Sequence, residues 1–262
     1  MTVAATGVVV SYLDKVDLSR IPADDRLGYA DRAAASAAAE LAGTTLAELA
    51  TMLAANRTHA LLLVLQGVDA SGKDGAVRHV FSAVNPSTLR VTAFKEPTAT
   101  ELAHDFLWRA HAATPARGEI AIWNRSHYED VLVPRVDRLV PKPVWRRRYA
   151  AINAFEEHLG NEGTLVVKCF LHVSQDEQGR RLDERLADPR KNWKFSPADL
   201  EKRAQWPEYR EAYEALLSKT STRHAPWHVI PADHTSVRNA AITTLLVETL
   251  EGLEMTWPPA AR

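Results

Sequence analysis

Apolar and polar residues alternate along the chain in a pattern that predicts a parallel sheet covered by helices. Five mainly apolar runs are typical of strands, the first buried on both faces: 60–67, 89–94, 119–124, 164–173 and 226–232. Segments that favour helix separate these runs or follow the last one: 73–84, 99–113, 143–159 and 235–253. Strands that alternate with helices form right-handed crossovers, which place helices on both faces of the sheet. We therefore predict an α/β fold with a five-stranded parallel sheet.

The N-terminal part of the chain has a different character. Residues 23–57 are rich in Ala, Leu and Glu, which favours helix. We expect Gly43 to end one helix, and Thr45 with Glu48 to form a capping box for the next. Residues 1–15 are predicted to be a flexible tail, or an arm that packs on a neighbouring subunit. Because no linker or repeat divides the rest, residues 16–262 are predicted to form a single domain.

Composition narrows the classes of partner. The 262 residues carry a net charge of −1, which predicts neither a nucleic acid nor a membrane as partner. No apolar run in the sequence has membrane-spanning length. The single cysteine, Cys169, excludes an internal disulfide and suits a reducing compartment. We therefore expect a cytoplasmic protein.

The stretch LLLVLQGVDASGKDG, residues 61–75, predicts a phosphate-binding loop. Its glycines and lysine match the spacing Gly-x-x-x-x-Gly-Lys between an apolar strand and a helix. Glycines let backbone N–H groups approach phosphate oxygens, and the helix adds its positive N-terminal end. The alternative is a strand–turn–helix in which the glycines only allow a tight turn and bind no phosphate. The residues that we assign to phosphate binding are Gly67, Ala70, Ser71, Gly72, Lys73, Asp74 and Gly75.

The loop also carries two carboxylates, which repel phosphate unless a cation lies between them. Asp69 is therefore predicted to bind Mg²⁺, with Mn²⁺ as a substitute, or to face the group that accepts a phosphoryl. Asp74 stands where Ser or Thr is usual. It either belongs to the phosphate site or only stabilises the first helical turn. We assign catalytic roles to Asp69 and Lys73.

A second motif, rich in polar residues, follows the third predicted strand, in the stretch IWNRSHYEDVLVPRV, residues 122–136. Because the carboxyl ends of parallel strands meet at one edge, the ends at Gly67 and Asn124 are expected to open into one crevice, where ligands bind in such sheets. The alternative is an ordinary strand exit whose arginine pairs with a nearby acid. The residues that we assign to a nucleotide here are Asn124, Arg125, Tyr128 and Glu129.

Together these motifs resemble the polyphosphate kinase 2 family. The resemblance rests on GVDASGKDG, residues 67–75, and NRSHYEDVLVPRV, residues 124–136. Further matches lie at 79–98, 101–109 and 188–200. The resemblance covers nearly all of the chain from about Arg26 to the last predicted helix.

The resemblance implies a P-loop kinase fold, with three α/β/α layers and a helical lid. It also implies transfer of a terminal phosphoryl group from inorganic polyphosphate to a nucleoside mono- or diphosphate, with magnesium. The sequence Asn-Arg-Ser-His-Tyr-Glu, residues 124–129, resembles the form of this motif found in the subgroup that accepts both AMP and ADP. Many members begin this motif with Asp, and Asn124 departs from that pattern, so we do not assign Asn124 as a metal ligand. Arg125 is assigned to catalysis as well as to the nucleotide.

Positive charge is concentrated locally, in a chain with almost no net charge. Between Pro189 and Pro197, basic residues alternate with Trp193 and Phe195, which predicts a mobile lid over phosphates at about 180–200. Two more basic residues follow predicted strands at the ligand edge. The resulting candidates for phosphate or polyphosphate binding are Arg185, Arg190, Lys191, Lys194, Lys95 and Arg135.

Several alternatives stay open at this level. Asp233, after the last predicted strand, is assigned to the nucleotide base, against the alternative of a helix N-cap. An ATP-dependent nucleoside monophosphate kinase would share the loop but would place Ser or Thr at position 74. A nucleotide-binding module without catalysis would not need two loop carboxylates and a basic lid. We expect inorganic polyphosphate and adenine or guanine nucleotides as ligands, and a homo-oligomer, either a dimer or a tetramer.

Overall fold

The computed structural model describes residues 1–194 and 197–259. The strands are β1 (Thr2–Ala4), β2 (Gly7–Val10), β3 (Ala60–Gln66), β4 (Leu89–Ala93), β5 (Ile120–Asn124), β6 (Thr164–His172) and β7 (Trp227–Pro231). The helices are α1 (Arg32–Asn56), α2 (Lys73–Val80), α3 (Ala99–Leu102), α4 (Trp108–Ala112), α5 (Glu129–Val136), α6 (Lys142–Asn161), α7 (Gln175–Ala187), α8 (Pro197–Ala204), α9 (Trp206–Thr220) and α10 (Thr235–Glu251). Short 3₁₀ helices lie at Leu18–Arg20, Pro86–Thr88 and Asn192–Lys194.

Within the described residues, the strands form one mixed sheet in the order β1-β2-β7-β6-β3-β5-β4. The five strands predicted from the sequence are present and run parallel to one another. The predicted total of five is wrong, because β1 and β2 extend the sheet with antiparallel pairs. The prediction of a flexible tail is likewise wrong for residues 2–10, which contain β1 and β2. The apolar run of β2 pairs with the edge of β7, where Val8 lies opposite Val229, and so satisfies backbone groups that an open edge would leave unpaired.

Strand β3 separates two hydrophobic cores, because successive side chains of a strand point to opposite faces. Leu62 and Val64 pack in the core that α5, α6 and α9 cover. Leu61, Leu63 and Leu65 pack in the core beneath α1, α2 and α10. All five side chains are fully buried, and each contributes about 1.5–3 kcal/mol of hydrophobic stabilisation. The sheet therefore lies between two helical layers.

Two of the predicted helical segments, 23–57 and 99–113, are divided differently in the structure. Helix α1 runs unbroken through Gly43, because its packing against α10 outweighs the weak helix propensity of one glycine. Its N-terminus is capped by Asp31, whose side chain accepts a hydrogen bond from the N–H of Ala34 at 2.8 Å. The predicted helix over 99–113 is instead divided into α3 and α4, since the side chain of Asp105 bonds the backbone N–H of Leu107 and interrupts the helix.

The parallel strands place their carboxyl ends at one edge of the sheet. Gly67 and Val173 follow β3 and β6 at this edge, and Asn124 is the last residue of β5. In open α/β sheets, ligands bind in the crevice outside these ends. Among the helices of the described ranges, none is both long and apolar enough to cross a membrane.

Candidate active site

The loop between β3 and α2 has the backbone geometry of a phosphate cradle. Gly72 has a φ of +97°, in the left-handed region that favours glycine. Gly67 has a φ of +152°, and a Cβ atom there would lie 2.8 Å from the carbonyl oxygen of Leu171. The two glycines therefore fit the loop closely against β6 and deliver the chain into the N-terminus of α2. That helix end is a favourable site for an anion.

Lys73, the first residue of α2, is held over the loop by the loop itself. Its Nζ donates to the carbonyl oxygens of Gly67 at 2.7 Å and Val68 at 3.0 Å, and its side chain is buried. Burial, with a smaller contribution from nearby Arg125, lowers the pKa of Lys73 to about 8. The ammonium group is therefore positioned where loop-bound phosphates would surround it, and an anion there would favour its charged form.

Asp69 connects the loop to the second motif. Its carboxylate pairs with the guanidinium of Arg125, which also lies 3.3 Å from a carboxylate oxygen of Glu129. Lys202 of α8 reaches the other oxygen of Asp69 at 3.8 Å. Burial raises the pKa of Asp69, but the nearby cations Arg125, Lys73, Lys202 and Arg185 outweigh that effect and lower it overall. Asp69 is therefore a carboxylate surrounded by positive charge.

Asn124 and Asp74 form a second link between the loop and β5. The amide Nδ2 of Asn124 donates to Oδ1 of Asp74 at 2.7 Å. Asp74 therefore does more than stabilise the first turn of α2, which was one of the two interpretations drawn from the sequence. Arg125, next to Asn124, has a φ of +60°, a conformation that is uncommon outside glycine. This turn directs the chain away from β5 at the point where Arg125 meets Asp69.

A cleft of about 660 Å³ opens beside Arg125 and Glu129, between the end of β4 and helix α5. One part of its lining is apolar, with Phe94, Pro97, Leu102 and Leu139. The polar lining combines five basic residues, Lys95, Arg109, Arg125, Arg148 and Lys202, with four acidic ones, Glu96, Glu129, Asp130 and Asp137. The cleft therefore offers both apolar surface and guanidinium or ammonium groups to a ligand.

Asp130 organises two of the arginines of this cleft. Arg109 lies 3.1 Å from its carboxylate, and Arg148 donates to its backbone carbonyl at 2.6 Å. Burial raises the pKa of Asp130, and the two guanidinium groups only partly offset that effect. Arg109 was not among the site residues predicted from the sequence, although it lies within the stretch 101–109 that contributed to the family resemblance.

Helix α7 braces the phosphate loop from the other side. Gln178 donates to the backbone carbonyl of Asp69 at 3.1 Å, and Arg181 donates to those of Ala70 and Ser71 at 3.2 Å. Arg185, a predicted lid residue, contributes to the lowered pKa of Asp69. The spacing of Gln178, Arg181 and Arg185 corresponds to one face of a helix, a signal that could have identified all three residues.

Comparison with known proteins agrees with this arrangement. The family model described as polyphosphate kinase 2 matches residues 29–257. The chain belongs to the polyphosphate kinase 2 family. It is 50% identical over 245 residues to an AMP/ADP-polyphosphate phosphotransferase of Meiothermus ruber, which covers 93% of this chain and 92% of that protein. It is 46% identical over 232 residues to an ADP-polyphosphate phosphotransferase of Rhodopseudomonas palustris, which covers 83% and 80%.

The fold is shared with a solved member of the polyphosphate kinase 2 family. The crystal structure of polyphosphate kinase 2 from Arthrobacter aurescens TC1 superposes with a TM-score of 0.91 at 40% sequence identity. The match covers 97% of this chain and 95% of that one. The predicted α/β fold and the predicted family are therefore confirmed.

Two residues that the sequence assigned to the nucleotide, Tyr128 and Asp233, do not line the cleft. Tyr128 is fully buried, and its hydroxyl donates to Oε1 of Glu156 at 2.7 Å. The assignment of Tyr128 to the nucleotide is therefore wrong, because its side chain turns away from the sheet edge into the core. Asp233 accepts a hydrogen bond from the N–H of Ser174 at 2.8 Å, which ties the end of β7 to the start of α7. It does not cap α10, whose N-cap is His234.

The predicted basic residues do not all converge on the cleft. Arg135 lies 2.5 Å from a carboxylate oxygen of Glu211 and stacks over the ring of Trp145, in a different cavity from the one that Arg125 lines. Arg190 and Lys191 are exposed and pair with Asp188, at 3.1 and 3.2 Å. The side chain of Lys194 and residues 195–196, also part of the predicted lid, lie outside the described part of the chain.

Proposed function

We propose that this protein is a polyphosphate-dependent nucleotide kinase that transfers the terminal phosphoryl group of inorganic polyphosphate to AMP and ADP, giving ADP and ATP. The observation that carries the proposal is the ion-pair chain from Asp69 through Arg125 to Glu129, because it joins the glycine-rich loop to the neighbouring cleft. Relatives that align over most of the chain are named for transfer between polyphosphate and AMP or ADP, which supports the same activity.

In this proposal the donor and the acceptor approach the ion-pair chain from two sides. The terminal phosphates of the donor bind the N–H groups of the loop and the ammonium of Lys73. The acceptor nucleotide lies in the cleft, with its phosphate near Arg125 and its base against the apolar side near Phe94 and Leu139. An adenine or a guanine ring suits such a surface equally, so the lining does not select between them.

Little proton transfer is needed, because the acceptor is an already ionised phosphate. The obstacle is repulsion between two polyanions, which positioned cations relieve. Arg125 pairs with both Asp69 and Glu129, so a phosphate that enters can take over part of its hydrogen bonding. When phosphates bind, Lys73 also gains a counter-charge. Both side chains therefore bind more strongly as negative charge accumulates between donor and acceptor.

The carboxylates of the loop suit a magnesium ion. Mg²⁺ prefers hard oxygen ligands and is usually held by one or two carboxylates together with substrate phosphates. Asp69 and Asp74, whose charges both act on Lys73, supply such oxygens and would hold the ion there, with Mn²⁺ as a substitute. A bound ion would neutralise phosphate charge and align the two substrates.

The ATP-dependent nucleoside monophosphate kinase is the less favoured function. That class would place a hydroxyl at position 74, whereas Asp74 is bonded to Asn124. A binding module without catalysis would leave the loop carboxylates and Lys202 without a role. The lid function of residues 180–200, the cytoplasmic location and the homo-oligomer remain predictions.

The direct test is to incubate the purified protein with MgCl₂, AMP or ADP, and either polyphosphate or ATP, and to separate the nucleotides by chromatography. We expect ATP from ADP and polyphosphate, with loss of the product in excess chelator and recovery with added Mn²⁺. ATP with AMP should give far less product than polyphosphate with AMP. Equal or faster transfer from ATP would overturn the proposal, and a Lys73→Ala sample serves as the inactive control.

A further inference from the structure

A buried arginine lies directly behind the phosphate loop. Arg238 belongs to α10, and its side chain is only 2% exposed. Its guanidinium packs against the first turn of α2, where a Cβ atom on Gly72 would overlap Nη1 and one on Gly75 would lie 3.3 Å from Nη2. Arg181 of α7 lies on the same side of Gly72, with its Nη1 3.6 Å from the same Cβ position. Two guanidinium groups therefore flank the glycines of the loop.

Arg238 has no acidic partner among the described residues. Its Nε and Nη2 donate to the amide oxygen of the adjacent Asn239, at 3.1 and 2.7 Å. The neighbouring charge that acts on it is another cation, Arg181, and burial together with that cation lowers the pKa of Arg238 to about 10. By contrast, the ion pair to Glu177 compensates Arg181 itself, and carboxylates on two sides compensate Arg125.

An uncompensated buried cation is strongly unfavourable, so proteins usually pair it or place it where a ligand supplies the counter-charge. The face of α2 against which Arg238 packs is the N-terminal turn, whose own field also favours an anion. Two independent sources of positive potential therefore act on the same few ångströms of backbone. The charge that is missing from the protein would be present when a polyanion occupies the loop.

We infer that Arg238 is the fixed counter-charge for the donor polyphosphate, acting from behind Gly72 and Gly75 on the phosphates that the loop holds. Arg238 is a positioning residue in this role, because the backbone of the loop lies between its guanidinium and the ligand. The inference rests on the proposed function and adds a donor-specific residue to it. The nucleotide cleft is lined by a different set of side chains, so Arg238 should distinguish the donor from the acceptor.

The test compares Arg238→Gln and Arg238→Lys with the wild type in steady-state kinetics with polyphosphate and ADP. Loss of one charge interaction near the loop should raise the KM for polyphosphate roughly tenfold in the Gln variant. The KM for ADP should change by less than about twofold, since few cleft contacts depend on α10. The Lys variant retains the charge, and its KM for polyphosphate should stay within about threefold of the wild type.

Two further measurements separate this role from a purely structural one. Without substrate, the thermal midpoint of Arg238→Gln should equal or exceed that of the wild type, because an unpaired buried charge has been removed. The increase in midpoint on adding polyphosphate should be smaller than in the wild type. Arg147→Gln removes the same charge from the exposed face of α6 and should leave the KM for polyphosphate unchanged.

The outcomes are distinct. A Gln variant with an unchanged KM for polyphosphate, a Lys variant as impaired as the Gln variant, or equal changes in both KM values would each overturn the inference. A lower midpoint without substrate combined with an unchanged polyphosphate-induced shift would assign Arg238 to folding alone. If the wild type transfers no phosphoryl group from polyphosphate, the proposed function itself fails, which is a different result from any of these.

Discussion

Two charged clusters arise from adjacent residues of the second motif and differ in their surroundings. Around Arg125, the ion pairs to Asp69 and Glu129 are partly exposed at the edge of the sheet. A few residues later, Tyr128 turns inward to the pair formed by Glu156 and Lys168, whose charged atoms lie 2.6 Å apart and are fully buried. Both clusters combine acids, bases and a hydrogen-bonding side chain, yet only the first can meet a ligand.

The difference teaches that exposure, and not composition, decides what an ion pair does. A partly exposed pair contributes little to stability, so Arg125 can exchange its partners for phosphates. In the buried cluster, Lys168 also donates to Tyr128 at 3.2 Å and to the carbonyl of Thr220 at 2.6 Å. Burial raises the pKa of Glu156, but Lys168 and His127 outweigh that effect and keep the carboxyl ionised. The inner cluster therefore fixes the motif on the sheet, whereas the outer one lines the candidate active site.

The largest effect should come from breaking the inner cluster. Glu156→Gln leaves Lys168 buried without a counter-charge, and we expect the free energy of unfolding to fall by about 3–5 kcal/mol in denaturant titrations. The double variant Glu156→Leu with Lys168→Met removes both charges and should recover most of that loss. A double variant no more stable than the single one would show that the pair itself stabilises the fold.

Lys73→Ala, near the outer cluster, should reduce activity and leave stability intact. Removal of the loop ammonium should lower kcat/KM by about 10²–10³, since it stabilises charge in the transition state. The free energy of unfolding should not decrease, because the replaced group is a buried cation whose pKa is already lowered by burial. Lys219→Ala, an exposed lysine on α9 away from the loop and the cleft, is the matched control. A folded Lys73→Ala protein with near-normal turnover would remove the loop from the mechanism.

Asp69→Asn should have a smaller but still large effect. The change preserves shape and deletes the charge that pairs with Arg125 and Lys202, so we expect kcat to fall by about tenfold to a hundredfold. The Mg²⁺ concentration that gives half-maximal activity should rise as well. Asp183→Asn, on the exposed face of α7, controls for the loss of one charge. Full activity of Asp69→Asn at saturating Mg²⁺ would reduce Asp69 to a loop-shaping residue.

The smallest expected effect is uptake of a proton when polyphosphate binds. With a pKa of about 8, about half of the free protein carries a neutral Lys73 at pH 8, and bound phosphates would protonate it. Binding calorimetry in buffers with different ionisation enthalpies should show uptake of up to about half a proton at pH 8, and less at pH 7. Lys73→Met should show none, and an equal uptake in that variant would assign the proton to another group.

The same pKa has a consequence for stability. Lys73 titrates near pH 8 in the folded protein and near its ordinary value of 10.5 when unfolded. Between these values the unfolded chain binds more protons, so the contribution of Lys73 to stability rises with pH over that window. Below pH 8 the residue is charged in both states, and its burial is unfavourable.

The sequence by itself determined the glycine-rich loop, the second motif and the parallel strands that bring them together. These features depend on local rules, because glycine spacing sets the loop backbone and apolar runs set the strands. The shared crevice at Gly67 and Asn124 followed from the rule that carboxyl ends of parallel strands share an edge, whereas the ion pair between Asp69 and Arg125 came from the structure. What local rules could not supply was the N-terminal hairpin, since the pairing of β2 with β7 depends on a long-range fit to an open edge.

Only the tertiary structure decided which way each side chain of the second motif points. The left-handed backbone at Arg125 and the packing of α5 send Arg125 and Glu129 to the cleft and Tyr128 to the core, although all three are polar neighbours in the sequence. Tertiary structure likewise placed Arg238 behind Gly72, from the opposite end of the chain. The physical reason is that burial and pairing of charges depend on residues distant in sequence, which periodicity and motif spacing do not record.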